Sequence, residues 1–278
     1  MGTVQSKIVK PPAALERYVE SFRLSTQTIQ GDVAIRVCPN TYPGLVFQHH
    51  DRQSAIQDIV VSSGRVVRVP TLFIHGQVTA LSVMHFSAPY ATIQVILKPH
   101  ALGPLFDIDA AMMTNNSIAS DAFGGETLGW HLLDTNDADE QVALLGDFLV
   151  GKLAANGQSD TLIEDILAYI DRNIGTITVE KVHTAFGISE RQLQRRFKQN
   201  VGIAPQLYIR IRRINEAFRL MDSGNFNRLS DIAYELNFHD QSHFIRDIKA
   251  FSGITPKDIS QKINDFHHDQ VGSSYIYR

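Results

Sequence analysis

Arg191, Gln194, Arg195 and Lys198 are the side chains of this sequence best spaced to act together, and their chemistry is hydrogen bonding rather than catalysis. They lie in Ser189-Glu-Arg-Gln-Leu-Gln-Arg-Arg-Phe-Lys-Gln-Asn-Val-Gly202, where the spacing predicts a short helix. Ser189 followed three residues later by Gln192 is a capping-box signature, which satisfies amide donors left open at a first turn. Leu193, Phe197 and Val201 form a stripe that buries on one side. Gly202 supplies a left-handed stop. The cations and Gln194 fall on the opposite, wet side. In the DNA major groove Arg pairs bidentately with guanine and Gln with adenine. An ordinary solvated amphipathic helix carries similar residues, so this stretch alone leaves both readings open.

The elements around it decide between them. Thr178 to Gly187 reads as a helix with Val179, Val182 and Phe186 at helical spacing, ended by a glycine and followed at once by the Ser189 cap. Two helices joined by a short glycine turn, the second one basic, make a helix-turn-helix. A second pair has the same shape: Ser230 to Leu236, then Asn237-Phe238, then Asp240 to Phe251 with a Gly253 stop. Asn237 stands where the first copy has Gly187, and Asn is the next best residue at a left-handed position. Phe244 and Ile248 match Leu193 and Phe197; Arg246 matches Arg195, and Lys249 matches Lys198. A helix from about Ala204 to Asp222 separates the copies. It would span roughly 28 Å at ~1.5 Å per residue, close to the ~34 Å between successive major-groove faces on one side of B-DNA. Unrelated amphipathic helices have no reason to share cap, stripe, basic position and stop, so the duplication favours DNA binding.

Composition sets bounds on this reading. The 278 residues suffice for two domains. No apolar run is long enough to span a bilayer, and the N-terminus lacks the basic and apolar regions of an export signal, so a cytoplasmic location is expected. Met1-Gly2 with Ser6 fits the bare myristoylation pattern, which so few fixed positions produce by chance. Cys38 is the single cysteine, which excludes an intrachain disulfide or a thiolate metal cluster and suits a reducing compartment. Beside Pro39 it reads as a small buried apolar residue. The net charge of −3 argues against indiscriminate coating of nucleic acid. The charge is nevertheless segregated: from Glu190 to Arg219, two Glu oppose eight Lys or Arg, while Asp134, Asp137, Asp139 and Glu140 gather in the first half.

Along the chain, Pro11-Pro12 open a predicted helix through about Leu24, with Leu15, Tyr18, Val19 and Phe22 on one face. Short Val- and Ile-rich runs follow: Val33 to Val37, Leu45 to Gln48, Ile56 to Ser62, Arg65 to Val69, Leu72 to His75, Thr79 to Phe86 and Thr92 to Leu97. Their spacing and the turn residues between them suggest an antiparallel sandwich or barrel. Helical turns at 99–106 and 110–113 and a helix from about Asp137 to Ala155 complete an α+β first domain, 1–155. Small polar residues at 156–160 form the linker. An all-α domain spans 161–264, with helix-turn-helix units at 178–201 and 228–252; Thr255-Pro256 caps its last helix, to about Asn264. Residues 265–278 read as a disordered tail.

The C-terminal hundred residues closely resemble the AraC/XylS family of bacterial transcription regulators. The resemblance rests on Ser189, Leu193, Arg195, Phe197, Lys198, Gly202 and Pro205 in the first half-motif. In the second it rests on Ile232-Ala233, Phe238, Asp240, Ser242-His243-Phe244, Arg246, Lys249, Gly253, Thr255 and Pro256. Asn237 and Ile248 replace the family's usual Gly and Phe. The resemblance implies that helices 189–200 and 241–251 enter consecutive major grooves of double-stranded DNA. Arg191, Gln194, Arg195, Gln241, Ser242 and Arg246 would then face base edges, with Arg196, Lys198 and Lys249 at phosphates or the rim. Salt bridges from Arg195 to Glu190 and from Arg246 to Asp247 are the alternative for those two residues. The resemblance also implies a small-molecule effector or a homodimer contact in the first half, and RNA polymerase as partner if the protein activates. Phe73 to Gln77 and Lys98 to Phe106 weakly resemble a cupin-like effector domain.

The competing class is a metal-dependent cupin-type enzyme fused to a DNA reader. His49, His50, Asp51, His75, His85 and His100 all fall in the strand-rich half. The His-x-His and following Glu of the common cupin arrangement are missing, and adjacent His49 and His50 point to opposite faces of a strand. No nucleophile elbow, Walker loop or dinucleotide fingerprint is present. The expectation is therefore a regulator rather than an enzyme, with no cofactor or metal. A third reading gives the first half a purely oligomerising role.

Overall fold

The computed structural model describes residues 4–27, 31–87, 89–223, 226, 228–261, 266–268 and 273–277. The first half begins with strands β1 (Val4–Val9), β2 (Val19–Gln27), β3 (Val33–Val37), β4 (Gly44–His49), β5 (Ile56–Val61), β6 (Val66–Val67), β7 (Leu72–His75), β8 (Ser82–Phe86) and β9 (Tyr90–Leu97). It continues with helices α1 (Leu102–Phe106) and α2 (Ala110–Met113), strand β10 (Ser117–Ala119), and helices α3 (Glu126–Asp134) and α4 (Ala138–Asn156). The strands form two sheets. One runs β1-β2-β9-β4-β7-β10, and β3-β8-β5-β6 belong to the other.

Strand alternation shows why the first sheet sits in the middle of this half. Phe22, Leu45, Phe47, Leu72, Ile74, Ile93 and Val95 point to one face and pack under α1, α3 and α4 with Leu128, Leu132, Leu145 and Leu149. Val46 and Phe73 point to the other face, toward Ile56 and Phe86 of the second sheet. Successive residues of a strand face opposite ways, so a strand buried on both faces is apolar throughout.

The helix expected from Pro11 to about Leu24 is not formed. Ala13–Leu15 make a single 3-10 turn, and β2 starts at Val19. The pairing of β2 with β9 shifts register between Val19 and Ser21. That bulge puts Val19 and Phe22 on the same side, three apart, which is the spacing of a helix.

In the second half α5 (Thr161–Arg172), α6 (Val179–Ala185), α7 (Glu190–Val201), α8 (Pro205–Ser223), α9 (Leu229–Glu235), α10 (Gln241–Ser252) and α11 (Pro256–Gln261) enclose a separate core. Its largest fully buried members are Tyr208, Phe197, Phe218 and Phe244. Cys38 of the first half joins this core, where burial pushes its thiol up to about 12. α4 closes on Gly157 in a left-handed conformation and α5 opens on the Asp160 cap, so residues 157–160 connect two helices. The stretch from 262 to Asn264, expected to extend the last helix, lies outside the described residues.

The tail corrects an expectation of disorder. β11 (Phe266–His268) pairs with β12 (Ser273–Tyr277), and β12 pairs antiparallel with β3 from Ser274↔Val37 to Tyr277↔Ala34. The end of the chain returns to the first half and extends its second sheet, giving β3 a partner on its otherwise open edge.

Candidate nucleic-acid interface

The two helix pairs repeat one another in detail. Ser189 Oγ accepts from the Gln192 amide at 3.3 Å, and Gln192 Oε1 accepts from the Ser189 amide at 2.9 Å, closing the capping box. Asp240 does the same work for α10, accepting from the His243 amide at 2.6 Å. The turns before them place Gly187 at φ 62° and Asn237 at φ 53°, both left-handed. The stops Gly202 and Gly253 are left-handed as well, at φ 89° and 76°. Leu193, Phe197 and Val201 are buried in α7, as are Phe244, Ile248 and Phe251 in α10.

With their apolar stripes buried, the helices present their polar sides. Arg191, Gln194, Arg195, Gln241, Ser242, Arg246, Lys198 and Lys249 are all exposed. Arg196 differs. Its guanidinium engages Asp160, the cap of α5, and it ties the two helices within the domain. Neither anticipated internal salt bridge is formed among the described residues. Glu190 accepts instead from Gln194 Nε2 at 2.8 Å. Asp247 is taken by Arg210 of α8 at 2.7 Å, with the Arg210 guanidinium 5.1 Å from the Phe251 ring centre. Arg246 Nε donates to the Ser242 carbonyl at 3.3 Å along its own helix. The Arg210–Asp247 contact, which sequence did not single out, fixes α10 against the nineteen-residue α8.

A second site lies between the sheets. A cavity of about 370 Å³ is floored by Arg23, Gln94, Val46 and Phe73, a row across β2, β9, β4 and β7. Ile59, Val61, Met84 and Phe86 close the other side. His75 also lines it. His75 Nδ1 lies 2.9 Å from the Gly76 carbonyl oxygen, which only a protonated nitrogen can approach as a donor, so Nε2 accepts from Gln94 Nε2 at 3.3 Å. Burial lowers its pKa, and the ring is neutral at neutral pH. Gly44 faces that ring across the β4–β7 pair, and a Cβ there would lie 2.6 Å from His75 Nε2.

The histidines considered as metal ligands are scattered. His49 ends β4, His85 binds Asp58 at 2.6 Å, and His100 lies at the boundary between the halves. Among the described residues, no three His, Cys, Asp or Glu side chains are grouped to hold a metal ion.

An antiparallel β domain joined to paired helix-turn-helix units with exposed basic faces defines a two-domain DNA-binding regulator. Residues 183–262 match a family model described as a helix-turn-helix domain, and residues 7–119 match one described as a domain of unknown function (DUF6597). The transcriptional activator AarP of Providencia stuartii is 33% identical over 97 residues, 34% of this chain and 71% of that relative. RhaS of Citrobacter koseri, also a transcriptional activator, is 30% identical over 109 residues, 39% of this chain but 38% of its own length. The crystal structure of ToxT from Vibrio cholerae O395 aligns over 94% of this chain and 97% of its own, at 12% identity and a TM-score of 0.48. The chain belongs to the AraC/XylS family, and it is a DNA-binding transcription regulator.

Proposed function

We propose that the protein reads two consecutive major-groove segments of its operator and responds to a small molecule held between its sheets. Arg191, Gln194 and Arg195 of α7, with Gln241, Ser242 and Arg246 of α10, face base edges. Lys198 and Lys249 meet phosphates, which orient the protein without reading sequence. Arg196 contributes mainly through Asp160. The observation that carries this reading is the pair of helices, matched in cap, turn, stripe and stop, whose polar sides are left uncovered while their stripes are buried. Selecting duplexes from a random pool with the full chain tests it. Two preferred half-sites about one helical turn apart are expected, and recovery of no preferred sequence would overturn it.

On a selected duplex, Arg195→Ala or Arg246→Ala should each weaken binding by about 1–3 kcal/mol and relax preference at one base position. Wild-type affinity in Arg195→Ala would remove α7 from the groove. Lys198→Ala should instead weaken all duplexes alike and lower the salt slope by about one, as loss of one phosphate contact requires. A titration series at several salt concentrations separates the two behaviours.

The effector half of the proposal rests on the cavity, whose lining mixes apolar side chains such as Val46, Phe73 and Met84 with polar ones such as Arg23, Arg65, His75 and Gln94, which suits a small organic ligand that carries polar groups. A thermal-shift screen of small molecules against the full chain is the test, because a ligand of the folded form raises stability by mass action. Met84→Trp, which fills the space, should abolish the shift. A hit that stabilises this variant equally binds elsewhere.

A further inference from the structure

We infer that one wall of the cavity is also the seat of the DNA-binding domain, so that what fills the cavity acts on α7 and α8 through two named contacts. This rests on the reading of the cavity as an effector site. The first contact is the segment 110–116. Thr114 Oγ1 donates to the Gly202 carbonyl, the stop of α7, at 2.9 Å. The fit is close: a Cβ on Gly202 would lie 2.5 Å from the Ala110 carbonyl oxygen. Asn115, the next residue, lines the cavity and is left-handed at φ 55°. It is held there on every side. Its amide donates to the Gln77 carbonyl at 2.9 Å, and its side chain exchanges two bonds with Thr79, at 2.6 and 2.8 Å. Its carbonyl accepts from Arg65 at 2.7 Å, and Arg65 also lines the cavity. From below, Gly76 presses so near α2 that a Cβ would meet the Met113 carbonyl oxygen at 2.1 Å.

The second contact is the segment 37–42. Val37 and Asn40 line the cavity, and Asn40 is bridged to Val78, another lining residue. The residues between and beyond them face the other way. Cys38 is buried in the core of the second half, and the Pro39 carbonyl accepts from Asn215 of α8 at 3.4 Å. Arg212 of α8 lies over the Tyr42 ring, 5.3 Å from its centre, and donates to the Tyr42 hydroxyl at 3.2 Å. Burial opposes the Arg212 charge, but Tyr208, Tyr42 and Asp171 outweigh it and the pKa is raised, so the contact keeps its cation. One short stretch therefore has cavity on one side and the helix joining both reading helices on the other. Strained, fully bonded residues such as Asn115 persist where their surroundings hold them, and they move as a unit when those surroundings change.

A third contact between the halves supplies the control. Arg17 Nε donates to Glu164 of α5 at 2.7 Å, and Arg17 does not line the cavity. The test needs no identified ligand. Ala80→Phe adds volume at the shared wall, and its effect on affinity for a selected duplex is measured in the wild-type, Thr114→Val and Arg17→Ala backgrounds. A shift of at least fivefold is expected in the wild type and in Arg17→Ala, and one at least twofold smaller in Thr114→Val, where only the second contact still transmits, because coupled residues fail to add. An equal shift in all three backgrounds, or no shift with the protein folded, overturns the inference. If Ala80→Phe does not fold, Asn115→Gly serves, since it keeps the left-handed backbone and removes only the bonds to Thr79. Hydrogen exchange of the amides at 198–203 should then accelerate at least tenfold, and unchanged protection overturns the inference. Failure of the ligand screen alone would remove the effector and leave these results standing; failure here with a Met84→Trp-sensitive ligand in hand would leave the effector without this route.

Discussion

Phe197→Ala is expected to destabilise the C-terminal half by about 3–5 kcal/mol, the cost of removing a buried aromatic ring and leaving a cavity. Phe197 is fully buried and meets Tyr208 edge-on, with ring centres 5.6 Å apart. On the core side its helix buries Leu193, Phe197 and Val201, with Arg196 bound to Asp160 at the flank, while the opposite side is committed to the solvent and, on this reading, to DNA. Nothing on that side can compensate, so the loss should take DNA binding with it. Arg195→Ala on the same helix makes the contrast. It removes an exposed side chain, and its stability should stay within about 0.5 kcal/mol of wild type while its affinity falls. Urea denaturation of both variants checks the pair. A loss below about 1 kcal/mol for Phe197→Ala would mean that the stripe does not anchor α7.

The helical half was legible because its signals are local. A cap, a stripe and a left-handed stop each occupy fixed offsets, and Asn237 could be read as a glycine substitute because its conformation, φ 53°, is a property of one residue. β3 and β7 were legible at their full lengths for a similar reason, bounded as they are by turn residues. What escaped depends on partners distant in sequence. The bulge in β2 exists only against β9, and it turns a strand's alternation into a helix's spacing. β12 is a strand because β3 offers an open edge more than two hundred residues earlier, which no window around Ser273 contains. α3 starts after Gly125, which offers no side-chain cap, and carries Gly129 inside, so both its start and its interior lack the usual helical signal.

The candidate site divides along the same line. Which residues of α7 face outward followed from period, and those of α10 from its match to α7 and from the family resemblance. That Arg196 would be drawn to Asp160, and Asp247 to Arg210, did not, because both pairs join helices whose relative placement is a property of the whole core. The cavity was foreshadowed only by the Phe73-Ile-His-Gly-Gln77 segment, which does supply Phe73, His75 and Gly76 to its lining. Its other walls come from strands that read simply as apolar runs and from residues between strands, such as Asn40, Arg65 and Asn115.

Acidification should loosen the boundary between the halves through His100. Its ring lies 5.8 Å from the Tyr18 ring and is nearly buried, at 8% exposure. Its Nε2 is 3.7 Å from Glu164, too far for a hydrogen bond, while the other Glu164 oxygen is taken by Arg17. Burial pushes the imidazole down to about 4 from its ordinary 6.5; Glu164 and the Arg17 backbone pull the other way, while the Lys98 and Arg17 charges add to the fall. Between those values the unfolded chain binds a proton that the folded one refuses. Stability from this residue is therefore complete above about pH 6.5 and declines as the pH falls toward 4. At about 1.4 kcal/mol per pH unit the decline reaches about 2 kcal/mol by pH 5 and about 3 kcal/mol at its end. Denaturation of the wild type and His100→Gln at pH 7 and pH 5 isolates the contribution of His100, since every other group titrates in both. The variant should lose about 2 kcal/mol less across that interval. Equal losses would show that the imidazole is already charged, or already wet, in the folded protein, and that the contact with α5 is not the closed one described.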